Sequence, residues 1–493
     1  MSIIKLTFFY NFLYIFQSEG YVIKRLLNNV IKNPFPIKVE KVKTLQWTHK
    51  AKWICISSLI IFLLPLILLI LLKAPLLIIL IYISIFIFLP WIFLILGIFT
   101  IFPLEKYNKS KVIKISQDKI NKLKANKLKV IGITGSYGKT STKSFTNQLL
   151  AYKYKSYATP KSYNTLWGIA QPVQKKAIFN TVQDTLQYLE NDTEYFLVEM
   201  GAYFYGEITT LCTAFPPDIA ILTGISSVHL ERFKSIENII KAKSELLHGL
   251  KANGTAIINA DNRYARKIIL NPPRKDIKII SYGTWKDSTY RLEISQMTKD
   301  GTDFIIHHDN SMNKMHTPII GVGNIVNLTG AIATAHSQAV TWEDISKAVI
   351  TLSPAESRME ITDNGTGLLL INNGYSSNVP SFKQSLETLS LFDSTYKILV
   401  TPGIFELGEK TYEIHKKLGK KITDNINLVI LVKNKKTNDQ IRGLKDGMAE
   451  GNYPENQIVE VDRIEQFYEQ VSQRGLLPSV VLFENDVPDV YNV

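Results

Sequence analysis

The residues best suited to chemistry lie in one short segment, Gly135-Ser-Tyr-Gly-Lys-Thr-Ser141, which follows an apolar run that starts at Val130. A glycine turn between a strand and a helix presents backbone N–H groups to an anion, a lysine adds positive charge, and a hydroxyl can hold Mg²⁺. The common P-loop has a glycine five residues before the glycine of Gly-Lys, but Ile133 occupies that position here. The shorter spacing argues against transport ATPases and small GTPases. It predicts a triphosphate site of another class, and the alternative is a glycine turn without a ligand.

Two further polar side chains follow predicted parallel strands. Glu199 ends the apolar strand that starts at Glu194, and His229 follows the strand of residues 219–224 by a short loop. Open α/β sheets bind ligands at the carboxyl ends of their strands, so we expect both side chains near the glycine turn. Mg²⁺ prefers oxygen ligands and bridging phosphates, which makes Glu199 and Thr140 its predicted partners. Taken singly, Glu199 could be a helix cap and His229 a loop histidine.

Lys243 lies in the apolar stripe of a predicted helix at residues 235–250, while Lys241 points away from that stripe. The stripe consists of Ile236, Ile239, Ile240, Leu247 and Leu250. A bare ammonium on a buried face is costly. Lys243 therefore either extends its ammonium to solvent or faces a polar site.

The positive charge of the chain is confined to its first part. Residues 1–130 hold 19 Lys and Arg against 4 Asp and Glu, whereas the remaining residues hold 38 against 39. This distribution indicates contact with a membrane surface, and no nucleic-acid-binding motif accompanies it. The two cysteines, Cys55 and Cys212, cannot form a disulfide framework and fit a reducing compartment.

The first part contains two apolar runs of membrane-spanning length, at about 53–72 and 76–102, with Pro75 between them. Lysines flank the pair on both sides, so the positive-inside rule places both flanks in the cytoplasm. These lysines are Lys38, Lys41, Lys43, Lys50, Lys52, Lys106, Lys109, Lys111 and Lys114. Aromatic residues near the N-terminus predict an interfacial helix, with a third membrane segment as the alternative. The apolar runs begin too late for a cleaved signal peptide.

The predicted fold is α/β from about residue 126, because strand-like and helix-like runs alternate there. We expect a membrane anchor over residues 1–125, comprising the interfacial helix and a helical hairpin. A P-loop parallel-sheet central domain is expected over 126–352. A smaller Rossmann-like α/β C-terminal domain is expected over 353–493, and a short antiparallel meander is expected within 286–318.

Taken in order, several motifs over about residues 128–415 resemble those of the Mur ligase family. The matching segments are Thr134–Ser141, Ser162-Tyr-Asn164-Thr-Leu-Trp-Gly168, Glu199-Met-Gly-Ala-Tyr-Phe-Tyr-Gly206, His229-Leu-Glu-Arg-Phe233, Lys241-Ala-Lys243-Ser-Glu245, Asn324-Ile-Val-Asn327 and Pro402-Gly-Ile-Phe-Glu406-Leu-Gly408. In such ligases, ATP phosphorylates a carboxylate and an amine then displaces the phosphate to form an amide.

The resemblance implies a role for each matching position. It implies that ATP is bound by Gly135, Ser136, Tyr137, Gly138, Lys139, Thr140, Ser141, Asn324, Asn327, Arg358 and Asn373. It implies a magnesium site at Thr140, Glu199, His229 and a carbamylated Lys243, with Lys139, Lys243, His229 and Arg358 as catalytic residues. Asn164, Tyr375 and Asn378 are the expected substrate contacts. The implied substrates are an amino acid or dipeptide and a carboxylate acceptor. The apolar runs of the first part make membrane lipid a further expected partner.

The chain also departs from the family pattern. Asn373 stands where the family has an aspartate, and Gly323 stands where it has a histidine before the adenine-contacting asparagine. The segment Phe483-Glu-Asn-Asp486 replaces a Lys-Gly-Ser pattern. A membrane anchor takes the place of the uridine-nucleotide-binding domain that the family pattern places first.

These observations lead to a ranked set of hypotheses. The first is a ligase of the cytoplasmic membrane, with its catalytic domains in the cytoplasm, that adds D-alanyl-D-alanine or another amino acid to a muramoyl-peptide precursor. The second is a ligase for a lipid-linked or poly-amino-acid acceptor, such as poly-γ-glutamate. The third is a non-catalytic ATP-binding membrane protein. A membrane transport ATPase ranks last, because the chain lacks a Leu-Ser-Gly-Gly-Gln signature.

Overall fold

The computed structural model describes residues 8–18, 21, 23–32, 34, 45–174, 189–226, 230–363, 365–375, 377–392, 396–405, 407–423, 425–433 and 437–485. The chain consists of two units, one that ends at Lys111 and one that begins at Val112. Helix α5 continues from the first unit into the second.

The first unit is helical in its described residues. Its helices are α1 (Phe8–Ser18), α2 (Ile23–Lys32), α3 (His49–Leu71), α4 (Leu76–Phe88) and the first part of α5 (Pro90–Ala125). Thr48 starts α3 by accepting a hydrogen bond from the N–H of Ala51 at 3.2 Å. Helix α1, predicted as an interfacial helix, buries Phe9, Phe12 and Phe16 in a cluster with Leu94.

Helices α3, α4 and α5 of this unit are joined by aromatic and small-residue contacts. The rings of Phe62 and Phe86 stack with centroids 4.0 Å apart, and Phe93 meets Phe86 edge-on at 5.3 Å. Ser57 Oγ donates to the carbonyl oxygen of Gly97 at 3.0 Å. A Cβ on Gly97 would lie 2.2 Å from Ser58 Oγ, so glycine allows the two helices to approach closely.

The second apolar run differs from its prediction as one helix over 76–102. It forms two helices, α4 and α5, because Leu89 leaves the helical conformation (φ −124°, ψ 48°) and Pro90 has no N–H to donate. Two helices among the described residues, α3 and α5, are long and apolar enough to cross a membrane, and α4 is shorter.

The second unit contains a nine-stranded sheet. Its strands are β1 (Lys129–Thr134), β2 (Ser156–Ala158), β3 (Tyr195–Glu199), β4 (Ile219–Leu222), β5 (Thr255–Asn259), β6 (Lys278–Gly283), β7 (Tyr290–Thr298), β8 (Gly301–His308) and β9 (Ser311–Thr317). The strand order is β2-β3-β1-β4-β5-β6-β7-β8-β9. Pairing is parallel from β2 to β7 and antiparallel from β7 to β9. The parallel sheet and the antiparallel meander are thus both confirmed.

Helices cover this sheet on two faces. They are α6 (Lys139–Leu150), α7 (Leu166–Gln174), α8 (Glu207–Ala214), α9 (Leu230–Phe233), α10 (Ile236–His248), α11 (Arg263–Leu270), α12 (Val322–Ser337) and α13 (Trp342–Ile350). Two buried clusters lie on opposite sides of the strands, since alternate residues such as Ile131 and Val130 belong to different clusters. Strands β3 and β4 are buried along their whole length, as expected for a parallel sheet with both faces covered.

A six-stranded sheet follows along the chain. Its strands are β10 (Glu360–Asp363), β11 (Leu368–Asn373), β12 (Tyr396–Thr401), β13 (Leu428–Val432), β14 (Ile458–Val461) and β15 (Ser479–Glu484), in the order β10-β11-β15-β12-β13-β14. Only the β10–β11 pair is antiparallel. The accompanying helices are α14 (Val379–Leu389), α15 (Thr411–Gly419), α16 (Asn438–Glu450), α17 (Phe467–Gln473) and 3₁₀ turns at Gly408–Lys410, Glu455–Gln457 and Ile464–Gln466.

The strand order determines where the site lies. Strand β1 lies between β3 and β4, so the turn after β1 meets the ends of both neighbours at one edge of the sheet. This edge holds the glycine turn and Glu199, as the sequence predicts.

Candidate functional site

A cavity of about 670 Å³ lies in the second unit beside the glycine turn. Most of the predicted site residues line it. They are Ser136, Tyr137, Gly138, Lys139, Thr140, Ser141, Asn164, Glu199, Asn324, Asn327, Arg358, Asn373, Tyr375 and Asn378. Gly135 and Lys243 line a smaller adjoining pocket that shares Lys139 and Asn164 with the cavity. His229 lies outside the described residues.

The glycine turn has the geometry of an anion cradle at the start of helix α6. Gly138 precedes the helix in a left-handed conformation (φ 77°), and a Cβ there would lie 2.4 Å from Asn327 Oδ1. Tyr137 packs against Gly224, and its hydroxyl accepts a hydrogen bond from Asn262 at 3.0 Å. Lys139 Nζ donates to the carbonyl oxygen of Gly135 at 3.0 Å, which curls the lysine over the turn.

Glu199 and Thr140 lie together beside the glycine turn. Thr140 Oγ1 donates to Glu199 Oε2 at 2.9 Å, and Asn164 Nδ2 lies 3.4 Å from Glu199 Oε1. The two side chains offer oxygen ligands of the kind Mg²⁺ takes alongside nucleotide phosphates. Among the residues with assigned positions, no group of three or more His, Cys, Asp or Glu side chains could hold a metal ion. The donor set therefore fits a cation whose other ligands come from phosphate and water.

Lys243 is buried in helix α10, with only 4% of its surface exposed, whereas Lys241 is exposed. Its side chain lines the small pocket that Lys139 also lines, so it faces a polar site. Burial, together with the positive charge of Lys139, lowers the pKa of Lys243 to about 7. A buried lysine with this pKa is a nucleophilic amine at neutral pH.

Arg358 and Tyr375 extend the cavity from the side of the six-stranded sheet. The Arg358 guanidinium lies over the Tyr375 ring, 4.3 Å from its centroid, and donates to the Tyr375 carbonyl oxygen. Burial lowers the pKa of Lys139, and the positive charge of Arg358 contributes to that shift. Lys139, at the start of α6, and Arg358, just before β10, thus place two cations at the same cavity.

Three asparagines of the site also hold local structure. Asn373 Nδ2 donates to Glu484 Oε2 at 2.8 Å and to Ser385 Oγ at 3.0 Å. Asn378 caps helix α14 by accepting from the N–H of Ser381 at 3.1 Å. Asn324 Nδ2 donates to the Ile320 carbonyl oxygen at 3.1 Å. The sequence motifs predict only that these residues bind ligands, and do not predict these structural hydrogen bonds.

Sequence reasoning missed Lys143, one helical turn after Lys139. Its ammonium is buried and lies 3.6 Å from Glu199 Oε2. The available signal was its position on the side of α6 that also carries Thr146 and Leu150, both fully buried. A lysine on the apolar face of a helix calls for a buried partner.

The region around the glycine turn is similar to a known protein family. Residues 133–335 match the family model of the Mur ligase middle domain. This span includes the phosphate turn, Glu199, Lys243 and both asparagines of α12.

Curated relatives match over a longer part of the chain. The UDP-N-acetylmuramoyl-tripeptide–D-alanyl-D-alanine ligase of Bacillus subtilis is 31% identical over 292 residues, 59% of either protein. The ligase of the same name from Escherichia coli is 27% identical over 300 residues, 59% of this chain and 61% of that protein. The chain thus spans about three fifths of the length of these relatives.

Solved structures share the fold over a larger span. MurF from Acinetobacter baumannii is 22% identical with a TM-score of 0.64, covering 76% of this chain and 77% of that one. MurF ligase from Thermotoga maritima, solved in complex with ADP, is 22% identical with a TM-score of 0.64, covering 78% and 82%. The α/β architecture is therefore shared with these proteins.

Gly138→Ala is expected to weaken ADP binding by about tenfold or more. A left-handed backbone costs an L-residue roughly 1–2 kcal/mol, and the new Cβ would clash with Asn327. Isothermal titration of the detergent-solubilised chain measures the effect. Gly475→Ala is the matched control, since Gly475 also has a positive φ (62°) but has no neighbour within 4 Å of its added Cβ. Equal ADP affinity for Gly138→Ala and wild type would contradict the cradle geometry.

Proposed function

We propose that this chain is an ATP-dependent amide ligase that joins D-alanyl-D-alanine to the carboxylate of a muramoyl-tripeptide through an acyl phosphate. The observation that carries the proposal is the cavity in which a Mur ligase middle domain brings Lys139 and Glu199 together with Arg358. The substrate pair is the one in the names of the curated relatives.

The reaction has two displacements, and the site has charges suited to both. An oxygen of the acceptor carboxylate attacks the γ-phosphorus of ATP, and ADP leaves. The amine nitrogen then attacks the acyl carbon, inorganic phosphate leaves, and the nitrogen loses a proton. Lys139, the N–H groups of the turn and Arg358 stabilise the negative charge on the transferred phosphoryl group, because they are cations and dipoles oriented before the reaction.

Thr140 and Glu199 are the proposed magnesium ligands, and His229 stays a predicted ligand of a second ion. Mg²⁺, when bound, neutralises phosphate charge and polarises the γ-phosphoryl group. The hydrogen bond between Thr140 Oγ1 and Glu199 Oε2 supports this assignment, since it holds both oxygens at the phosphate side of the turn.

Lys243 is the proposed carbamylated lysine. A neutral amine adds to carbon dioxide and loses a proton, which turns a cation into a carboxylate-like anion. Burial beside Lys139 supports this, because an anion there is paired with a cation whereas an ammonium would face another ammonium. The carbamate would hold the acceptor-side magnesium ion.

The remaining contacts divide between nucleotide and substrates. Asn324 and Asn327, at the start of α12, are the proposed adenine-side residues, and Asn373 faces the same cavity. Asn164, Tyr375 and Asn378 are the proposed substrate contacts; Asn164 is next to Glu199, and Tyr375 is half exposed beside Arg358.

The first unit is proposed to anchor the ligase in the cytoplasmic membrane with the catalytic unit in the cytoplasm. Support comes from the apolar length of α3 and α5, the exposed leucines and isoleucines along α3, and the lysines at both ends. In this arrangement α3 crosses outward, the turn at Lys73 lies outside, and α4 with the apolar part of α5 returns.

A membrane anchor also favours a second acceptor, a muramoyl peptide already attached to a lipid. Such an acceptor lies in the membrane surface, where anchoring raises the local concentration of the enzyme. The chemistry at the cavity is the same for both acceptors. Poly-γ-glutamate is the other acceptor to compare.

Lys139→Ala is expected to reduce ADP release by at least about 100-fold, because the turn loses the cation that faces the transferred phosphate. ADP release is measured with the solubilised chain, ATP, Mg²⁺ and D-alanyl-D-alanine, in parallel with UDP-muramoyl-tripeptide, its lipid-linked form or a γ-glutamyl oligomer. Lys153→Ala, an exposed lysine just beyond the same helix, is the matched control. If the wild-type chain binds ATP but none of the three acceptors leads to ADP release, the ligase proposal is wrong and a non-catalytic role replaces it.

Lys243 is expected to give a carbamate ¹³C resonance when the chain is equilibrated with ¹³C-bicarbonate at neutral to slightly alkaline pH. Lys243→Ala is expected to lose both this resonance and ligase activity. Lys241→Ala is the control, because Lys241 is two residues away and exposed. A resonance that persists in Lys243→Ala would assign the carbamate to another lysine.

Lys73→Cys is expected to react with a membrane-impermeant maleimide in intact cells, whereas Lys109→Cys reacts only after permeabilisation. The two native cysteines are buried, so their background labelling is low. Labelling of both positions from the same side would exclude the hairpin topology.

A further inference from the structure

The buried ammonium of Lys143 has no part in the proposed reaction, yet it lies next to the carboxylate of Glu199, the proposed magnesium ligand. Its side chain is 4% exposed, and its Nζ is 3.6 Å from Glu199 Oε2. The same carboxylate oxygen accepts the hydrogen bond from Thr140 Oγ1. Glu199 Oε2 therefore lies beside both the hydroxyl of Thr140 and the ammonium of Lys143.

The ammonium is held in place by acceptors from the segment that follows β2. Lys143 Nζ donates to the carbonyl oxygen of Thr159 at 2.7 Å and to that of Lys161, and Thr159 Oγ1 lies 3.4 Å away. The ammonium is therefore bound by these carbonyl oxygens and by Glu199, whereas Lys139 lines the cavity.

A buried carboxylate beside a phosphate cradle creates an electrostatic conflict. Without a divalent cation, the charge of Glu199 repels the nucleotide phosphates, and the repulsion is strong where water is excluded. Lys139, the other lysine of helix α6 in the site, points into the turn through its bond to the Gly135 carbonyl oxygen. Lys143, by contrast, forms an ion pair with Glu199.

We propose that Lys143 is a positioning residue that compensates the charge of Glu199, so that nucleotide phosphates can bind in the turn before a divalent cation arrives. The inference rests on the proposed function, because it requires a nucleotide in this cavity. Once Mg²⁺ is bound, the cation takes over the compensation. The contribution of Lys143 to nucleotide affinity is then small.

The test compares ADP dissociation constants of the solubilised full chain in EDTA and in saturating Mg²⁺. Lys143→Met, which keeps the length of the side chain but removes its charge, is expected to bind ADP about tenfold more weakly in EDTA. In Mg²⁺ the same variant is expected to stay within about threefold of wild type. Lys153→Met, at an exposed lysine, is expected to match wild type in both conditions.

A second variant separates charge from structure. Glu199→Gln alone leaves Lys143 uncompensated and is expected to tighten ADP binding in EDTA. The double variant Lys143→Met with Glu199→Gln restores net neutrality and is expected to return to about the wild-type affinity in EDTA. Thermal unfolding of each variant establishes that it is folded. Because Glu199→Gln retains Lys143, the charge effect stays measurable even if Lys143→Met does not fold.

Three outcomes would overturn the inference. Equal weakening of Lys143→Met in EDTA and in Mg²⁺ would assign Lys143 a structural role only. Unchanged affinity in both conditions, or weaker ADP binding by Glu199→Gln in EDTA, would show that the nucleotide does not sense this charge pair. Failure of wild type to bind ADP in either condition would instead remove the proposed function, and the inference with it.

Discussion

The site depends on one constraint: charges buried around the phosphate turn must compensate one another. Lys139, Lys143, Lys243 and Arg358 supply positive charge from two helices and from the side of the second sheet, and Glu199 supplies negative charge from the end of β3. Desolvation would make any of these groups costly if it were alone. Burying them together is tolerable because each cation faces Glu199, a backbone carbonyl or the place where phosphates bind.

Sheet order is what makes this compensation possible. Strand β1 ends in the phosphate turn, and its neighbour β3 ends in Glu199 one strand away. Helix α10 packs across the same region and brings Lys243 to the rim of the turn. Residues from both sheets contribute to the cavity, because Arg358 and Tyr375 line it together with the glycine turn and Glu199.

The first unit is held together by apolar contacts rather than by compensated charges. Its helices leave leucine and isoleucine exposed on α3 and α4, while aromatic rings and a serine–glycine contact join the helices to one another. Exposed apolar surface of this extent is expected where the surroundings are lipid. This exposed apolar surface supports the proposed membrane anchor.

The sequence by itself determined the elements whose signals are local. The glycine spacing located the phosphate turn, continuous apolar runs located β3 and β4, and residues 286–318 indicated the meander. A lysine in the apolar stripe marked Lys243 as unusual. Each depends on residues close in the chain, so periodicity and spacing suffice to find it.

Only the tertiary structure decided which partner each charged group has. The ion pair of Lys143 with Glu199 and the hydrogen bond of Asn373 to Glu484 join residues that only the fold brings together. The break between helices α4 and α5 at Leu89 was also not predicted. The apolar run continues through Pro90, so hydrophobicity alone does not indicate that the N–H of this residue is missing. Hydrophobic pattern specifies where a segment is buried, whereas compensation of a buried charge depends on distances between segments that no local pattern contains.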